Sequence, residues 1–421
     1  MKKTIAIICV ILSLLTGSVT IIPAENIKIN IETVSGNTLC VGGMGPGNYT
    51  SIQDAINDST NGDTVFVYSD SSPYYEYIEI DKSIILNGEN KDTTIINGSK
   101  TEERSCIEIF TDYVTISNIS IRNSRGSGAY IDKAIGIKAE NCKYAAIKDC
   151  IISNNRYQLL EYGIGVSLTD VNHSIIKNCS FSDNGKAVTL KRASINTIEN
   201  CKFIKNYYGI KLYSSSRNNI SKNFISAESI GIDLHVSSNN EVTENNINNA
   251  SKYGIWITGF DNEKPSIDCI KNVISKNTIT NCEKGIYFHN YNSNNEVSKN
   301  NIVKNKCGIY LQEFSSKNII IYNNINNNDV GINIEYYFWN YEGNLITENN
   351  IFENIEDAKF RSPNCLPNSK FYKNYWGKTL FLPKRIHGKI TIKGMAEYDL
   401  IRWVQFDWHP AKQPYNIESN I

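Results

Sequence analysis

Histidine and methionine are scarce in this chain of 421 residues, with five His and three Met spread without a cluster. A metal centre built on convergent imidazole or thioether donors therefore has no visible basis. An excess of either charge is also missing: 43 Lys+Arg stand against 43 Asp+Glu. This balance argues against a surface that holds nucleic acid or an anionic membrane through bulk charge. Long apolar runs are absent after residues 5–15, and that run is short for a bilayer span. It follows Lys2 and Lys3 and leads to Ala24, the pattern of a secretory signal over 1–24. The mature chain is expected to carry no membrane span and to be secreted or held at the cell surface.

What the chain does have is a phrase that returns. From residue 165 to 335 it reads GVSL, AVTL, GIKL, GIDL, GIWI, GIYF, GIYL and GINI, at intervals of 22, 22, 22, 23, 31, 23 and 23. A fixed period of this size marks a stacked repeat. A second column keeps the same register: Cys150, Cys179, Cys201, Asn223, Asn245, Asn277, Asn300, Asn323, Asn349 and Asn374. Two residues further on the position is apolar, from Ile121 and Ile152 to Ile351 and Trp376. Short strands separated by turns fit each period and a helix does not. The expected fold is all-β, a right-handed parallel β-helix whose coils stack at about 4.8 Å. The Asn column is read as a bend that tolerates the left-handed region and bonds the next coil, and the Gly column as a corner with no room for a Cβ.

Segments 25–98 and 378–421 flank the repeats of 99–377. Thr50 and Gln53 have capping-box spacing, and Ile52, Ala55 and Ile56 share a face, so a short helix over 49–56 is expected to cover the open end of the solenoid. Strands are expected near 64–68, 77–80, 83–87 and 93–96. The tail, with strand-like 389–392 and 400–406, is expected to cap the last coil. Among 11 cysteines, Cys150, Cys179 and Cys201 should form an inward thiol stack. Parallel Cβ atoms about 4.8 Å apart exceed the range of roughly 3.5–4.5 Å that a bridge needs.

The runs NYTSIQDAI, NGDTVFVYS and YIEIDKSIILNGENKDTTIING, the repeats, and NYWG at 374–377 resemble the secreted NosD-like, pectin-lyase-like β-helix proteins. The resemblance covers nearly the whole mature chain. It implies the β-helix fold, and a group that includes carbohydrate-binding and sugar-cleaving proteins; its namesake serves copper-enzyme maturation. No soft-ligand motif is visible here, and no cofactor or metal is expected.

By strand alternation, two columns should face solvent. One reads Ser167, Thr189, Lys211, Asp233, Trp256, Tyr287, Tyr310, Asn333; the other reads Thr169, Lys191, Tyr213, His235, Thr258, His289, Gln312, Glu335. Their centre collects Asp233, His235, Trp256, Tyr287, His289, Tyr310 and Glu335. Exposed aromatics bordered by polar side chains suit the faces and hydroxyls of sugars. Replacing Trp256 and Tyr287 by Ala is then expected to abolish polysaccharide binding with little change in melting temperature. The competing reading is that these aromatics are strand formers stacked for stability.

Catalysis finds less support in the sequence. The polygalacturonase-type motifs of the fold are absent, Asp233 and Glu335 stand about 19 Å apart over four coil steps, and Glu313 with Glu335 is the best carboxyl pair. Lys211 beside Asp233 reads as a surface ion pair. Three insertions break the period, at 156–162, around 260–269, and at 336–341 with Tyr336, Tyr337, Phe338, Trp339 and Tyr341. The second holds Asp261, Glu263 and Asp268, calcium-type ligands in no recognised loop. The function expected is binding of an extracellular polysaccharide or cell-surface glycan without catalysis. The alternatives are a polysaccharide lyase or hydrolase, and a structural envelope or adhesion protein.

Overall fold

The computed structural model describes residues 36–100, 104–125, 134–156, 162–259, 268–312, 314–335, 342–362, 367–390 and 401–417. The segment 1–24 expected to be a secretory signal, the cores of the three insertions, and Glu313, Asp261 and Glu263 lie outside them. Residues 36–421 form one compact unit. Its coils are made of short parallel strands. Thr197–Glu199, Asn219–Ser221 and Glu241–Thr243 pair in sequence, and their middle residues Ile198, Ile220 and Val242 are buried. Three residues suffice because alternation sends only the middle side chain inward. Among the described residues, fourteen such strands stack into one wall, from Thr38–Val41 to Lys370–Tyr372. A second wall carries the longer anchor strands Ile164–Thr169, Lys186–Lys191, Lys202–Tyr213, Phe224–His235, Tyr253–Thr258, Lys284–His289, Cys307–Gln312 and Val330–Glu335. The chain is therefore the all-β parallel solenoid that its period predicts.

The corners differ from the expected picture in one respect. The left-handed residue is the one before each ladder position: Asn178, Asn200, Lys222, Glu244, Lys276, Lys299, Tyr322, Glu348 and Lys373 have φ between 54° and 58°. The Asn that follows has a different task. Asn223 Nδ2 donates to Ile198 O (2.9 Å) and to Asn245 Oδ1 (2.9 Å), while its own Oδ1 accepts from Cys201 N (2.9 Å). Each ladder amide thus satisfies buried backbone groups in neighbouring coils, which would otherwise be orphaned. Two further ladders run parallel to it, one through Asn196, Asn218, Asn240, Asn272, Asn295, Asn318 and Asn344. The other appears in two pieces, Asn155–Asn184–Asn206 and Asn305–Asn328–Asn354. The Gly column is as tight as expected: a Cβ on Gly285 would lie 2.6 Å from the carbonyl oxygen of Gly308.

At the N-terminal end the helix is Ile52–Asp58, capped by Ser51 rather than Thr50, with Ile52, Ala55 and Ile56 buried. Glu76 accepts from the backbone N–H of Ile52 (3.0 Å) and Gln53 (3.0 Å), placing a carboxylate on the helix's first turn. At the other end Lys384–Ile390 and Ile401–Asp407 form an antiparallel hairpin paired onto Glu356–Ser362. No disulfide joins the described cysteines, and Cys150, Cys179 and Cys201 are buried free thiols. Burial pushes the thiols of Cys106, Cys269 and Cys282 up to about 12, so they stay protonated at neutral pH.

Candidate functional site

The anchor strands stack in the register that alternation predicts. Lys211 pairs with Asp233, Asp233 with Trp256, Trp256 with Tyr287, Tyr287 with Tyr310 and Tyr310 with Asn333. In the neighbouring column Tyr213, His235, Thr258 and His289 follow one another, and Gln312 pairs with Glu335. The site residues from Asp233 to Tyr310 are thereby brought together. Glu335 shares the face but lies at its far end, four coil steps from Asp233.

Depth is where expectation and structure part. Tyr287 is 5% exposed and Tyr310 9%, because the two rings stack at 5.2 Å and 13° and Lys284 Nζ lies over both, at 3.9 and 4.5 Å. The Tyr287 hydroxyl also donates to Gln312 Oε1. Trp256 is half-buried, and Tyr253 tilts against both Trp256 (5.5 Å) and Tyr287 (4.8 Å). The row is thus a packed aromatic floor, and truncating Tyr287 would cost fold stability as any buried aromatic does. Lys284 and Tyr253 were not in the expected site. The signal was available: the residue before each Gly forms a third column, in which Tyr253 pairs with Lys284 and Lys284 with Cys307.

Asp233 is also deeper than a surface ion pair allows. It is fully buried, and Lys211 Nζ lies 3.1 Å from Oδ2. That is an ion-pair distance without hydrogen-bond alignment, so neither oxygen has a well-formed hydrogen bond. Burial raises its carboxyl above the ordinary range, with Lys211 pulling the other way. His235 stacks on Tyr213 at 5.2 Å, and burial with the Lys211 charge pushes its imidazole down to about 4. His289 is lowered by burial and by Lys284. Trp256 Nε1 and His289 Nδ1 are buried without a hydrogen-bond partner. Such groups cost stability unless something completes them.

The histidine shift makes stability depend on pH. Unfolded His235 gains its proton near the ordinary 6.5 and the folded residue only near 4. Acidification through this window therefore favours the unfolded chain. Discounted for partial exposure, the loss is about 2 kcal/mol. A His235→Asn variant should lose less stability than wild type between pH 7 and pH 4 in urea titrations; equal losses would show the histidine to be uninvolved.

The donors among the described residues do not fit copper. Among the described residues no three His, Cys, Asp or Glu converge to hold a metal. His235 and His289 are separated by Thr258 in their column, and Met44 is fully exposed.

Comparison with known proteins agrees with this architecture. Residues 105–269 match the family model described as right handed beta helix region, and residues 266–394 match that of the periplasmic copper-binding protein NosD. No curated protein matches the sequence. Among solved structures, the Dettilon tailspike protein gp208 is 15% identical with a TM-score of 0.59, over 81% of this chain and 68% of that one. The periplasmic alginate epimerase AlgG is 14% identical with a TM-score of 0.55, over 74% and 76%. PfbA, a surface adhesin of Streptococcus pneumoniae, is 13% identical with a TM-score of 0.53, over 85% and 95%. At such identities the likeness is one of fold. The chain is a right-handed parallel β-helix repeat protein, in which residues 266–394 match the NosD model.

Proposed function

We propose that the face from Asp233 to Glu335 binds an extracellular or cell-surface polysaccharide without cleaving it, outside the cytoplasm. The carrying observation is the half-buried Trp256 set on a packed floor of Tyr253, Tyr287 and Tyr310. The half-buried indole of Trp256 offers a ring face to the apolar side of a sugar, while Tyr287 and Tyr310 lie beneath Lys284 and hold that indole's surroundings rigid. The periplasmic alginate epimerase and the pneumococcal surface adhesin, by the names they carry, show the fold in polysaccharide chemistry and at a cell surface.

Trp256→Ala is the cleaner test than the Trp256/Tyr287 pair, since Trp256 is only half-buried. It should weaken binding in a soluble-polysaccharide screen roughly thirtyfold, as the loss of a central aromatic anchor does, with a small change in melting temperature. Undiminished binding by a folded variant would remove the floor from the site.

A second reading, a polysaccharide lyase or hydrolase, rests on the perturbed pair Asp233 and His235 beside Lys211. A neutral imidazole and a carboxyl shifted upward suit proton transfer. New ultraviolet absorbance from unsaturated products would move the protein to that class, and Asp233→Asn should then abolish turnover while binding persists.

A further inference from the structure

Beyond Glu335 the face does not stop at the last regular coil. Glu335 pairs in register with Arg361, Arg361 with Lys389 across the hairpin, and Lys389 with Arg402 on its second strand. Lys359 and His387 form the adjacent column, two residues away and so on the same side of the sheet. These side chains line an open cleft of about 680 Å³ that also includes Asn333 and Glu335. The cleft is therefore continuous with the proposed glycan face.

Its charge is uneven. Lys359, Arg361, Lys389 and Arg402 stand against Glu335 and Glu356, and Lys359 is already paired with Glu356 at 3.0 Å. Among the described residues Arg361, Lys389 and Arg402 are exposed and make no ion pair. Like charges directly opposite on neighbouring strands weaken a sheet, so this stripe opposes the stability of the hairpin that carries it. A bound anion removes that repulsion. Guanidinium groups hold carboxylate or sulfate through two parallel N–H donors, and strands about 4.8 Å apart present the cations as a regular series.

Building on the glycan reading above, we propose that the ligand is an acidic polysaccharide whose carboxylate or sulfate groups are taken by Arg361, Lys389 and Arg402. The polysaccharide lies along the columns, with a sugar face on the half-buried Trp256 indole and charged groups on the hairpin. The hairpin is then a recognition element as well as an end cap.

The test uses the full-length protein with polygalacturonate, dextran sulfate, dextran and polyphosphate of matched length. Wild type should prefer one or both acidic glycans over dextran, and the two acidic polymers separate carboxylate from sulfate recognition. The combined variant Arg361→Gln, Lys389→Gln, Arg402→Gln should lose roughly tenfold per cation for the preferred polymer. It should show a weaker salt dependence and melt no lower than wild type. Unchanged affinity of this variant for the acidic glycans, or equal binding of dextran by wild type, overturns the anionic assignment and leaves the glycan reading standing. Polyphosphate binding as tight as the best glycan overturns it as well, by reducing the stripe to bare charge. Failure of wild type to bind any of the glycans defeats the glycan reading itself.

Discussion

Asn245→Ala should cost about 4 kcal/mol of stability, from the loss of one small side chain. Asn245 is buried, and its Oδ1 accepts from the backbone N–H of Asn223 (3.0 Å) and from Asn223 Nδ2 (2.9 Å). Its Nδ2 donates to Ile220 O (2.8 Å) and to Asn277 Oδ1 (3.0 Å). Truncation strips the Asn223 N–H and the Ile220 carbonyl of these partners where water cannot replace them, and each such group costs about 1–3 kcal/mol. The chain itself provides a control. Cys201 occupies the same ladder and has only long contacts, 3.3 Å to Glu199 O and 3.7 Å to Ile176 O. Asn245→Cys should therefore fall between Ala and wild type. Urea midpoints for the three proteins decide the matter, and an Ala variant as stable as wild type would show the ladder to be ornamental.

Asp407→Ala should be nearly as damaging, by about 3–5 kcal/mol, but locally. Its carboxylate is fully buried and closes the ladder: Oδ2 accepts from Asn374 N (2.9 Å), Asn374 Nδ2 (3.2 Å) and Trp376 Nε1 (3.1 Å), and Oδ1 from Lys373 N (3.1 Å) and His409 N (3.2 Å). In a solenoid each coil touches only its neighbours, so loss of an end contact frays that end first. Amide exchange should accelerate in Asn350–Phe352 and Lys370–Tyr372 while Asn219–Ser221 stays protected. Uniform acceleration along the chain would contradict a local cap.

Much of this was legible because a repeat states each constraint many times over. One Asn column and the anchor phrase were enough to place Asp233, Trp256, Tyr287 and Tyr310 in register. The flanking ladders were written just as plainly, as Asn at five-residue spacing in 295/300/305, 318/323/328 and 344/349/354. The left-handed corners were not, since Lys222, Glu244 and Tyr322 are not residue types that favour that region. Burial of the aromatic row was also hidden, because alternation fixes which way Tyr287 points and not what packs over it. Lys284, one column away, supplies that cover. The basic cleft escaped for a different reason: Lys389 and Arg402 sit on a hairpin outside the period, and only its pairing onto Glu356–Ser362 aligns them with Arg361.

The ladders also give the solenoid a direction. Every amide, from Asn223 through Asn349, hands its N–H to the coil that follows and takes one from the coil before. Side-chain dipoles so aligned add along the axis, as peptide dipoles do in a helix, and the donor end terminates on the carboxylate of Asp407. A coil duplicated or deleted in the middle leaves this polarity unbroken and both termini correctly matched. The length of such a molecule can therefore change one whole turn at a time without redesign of its ends.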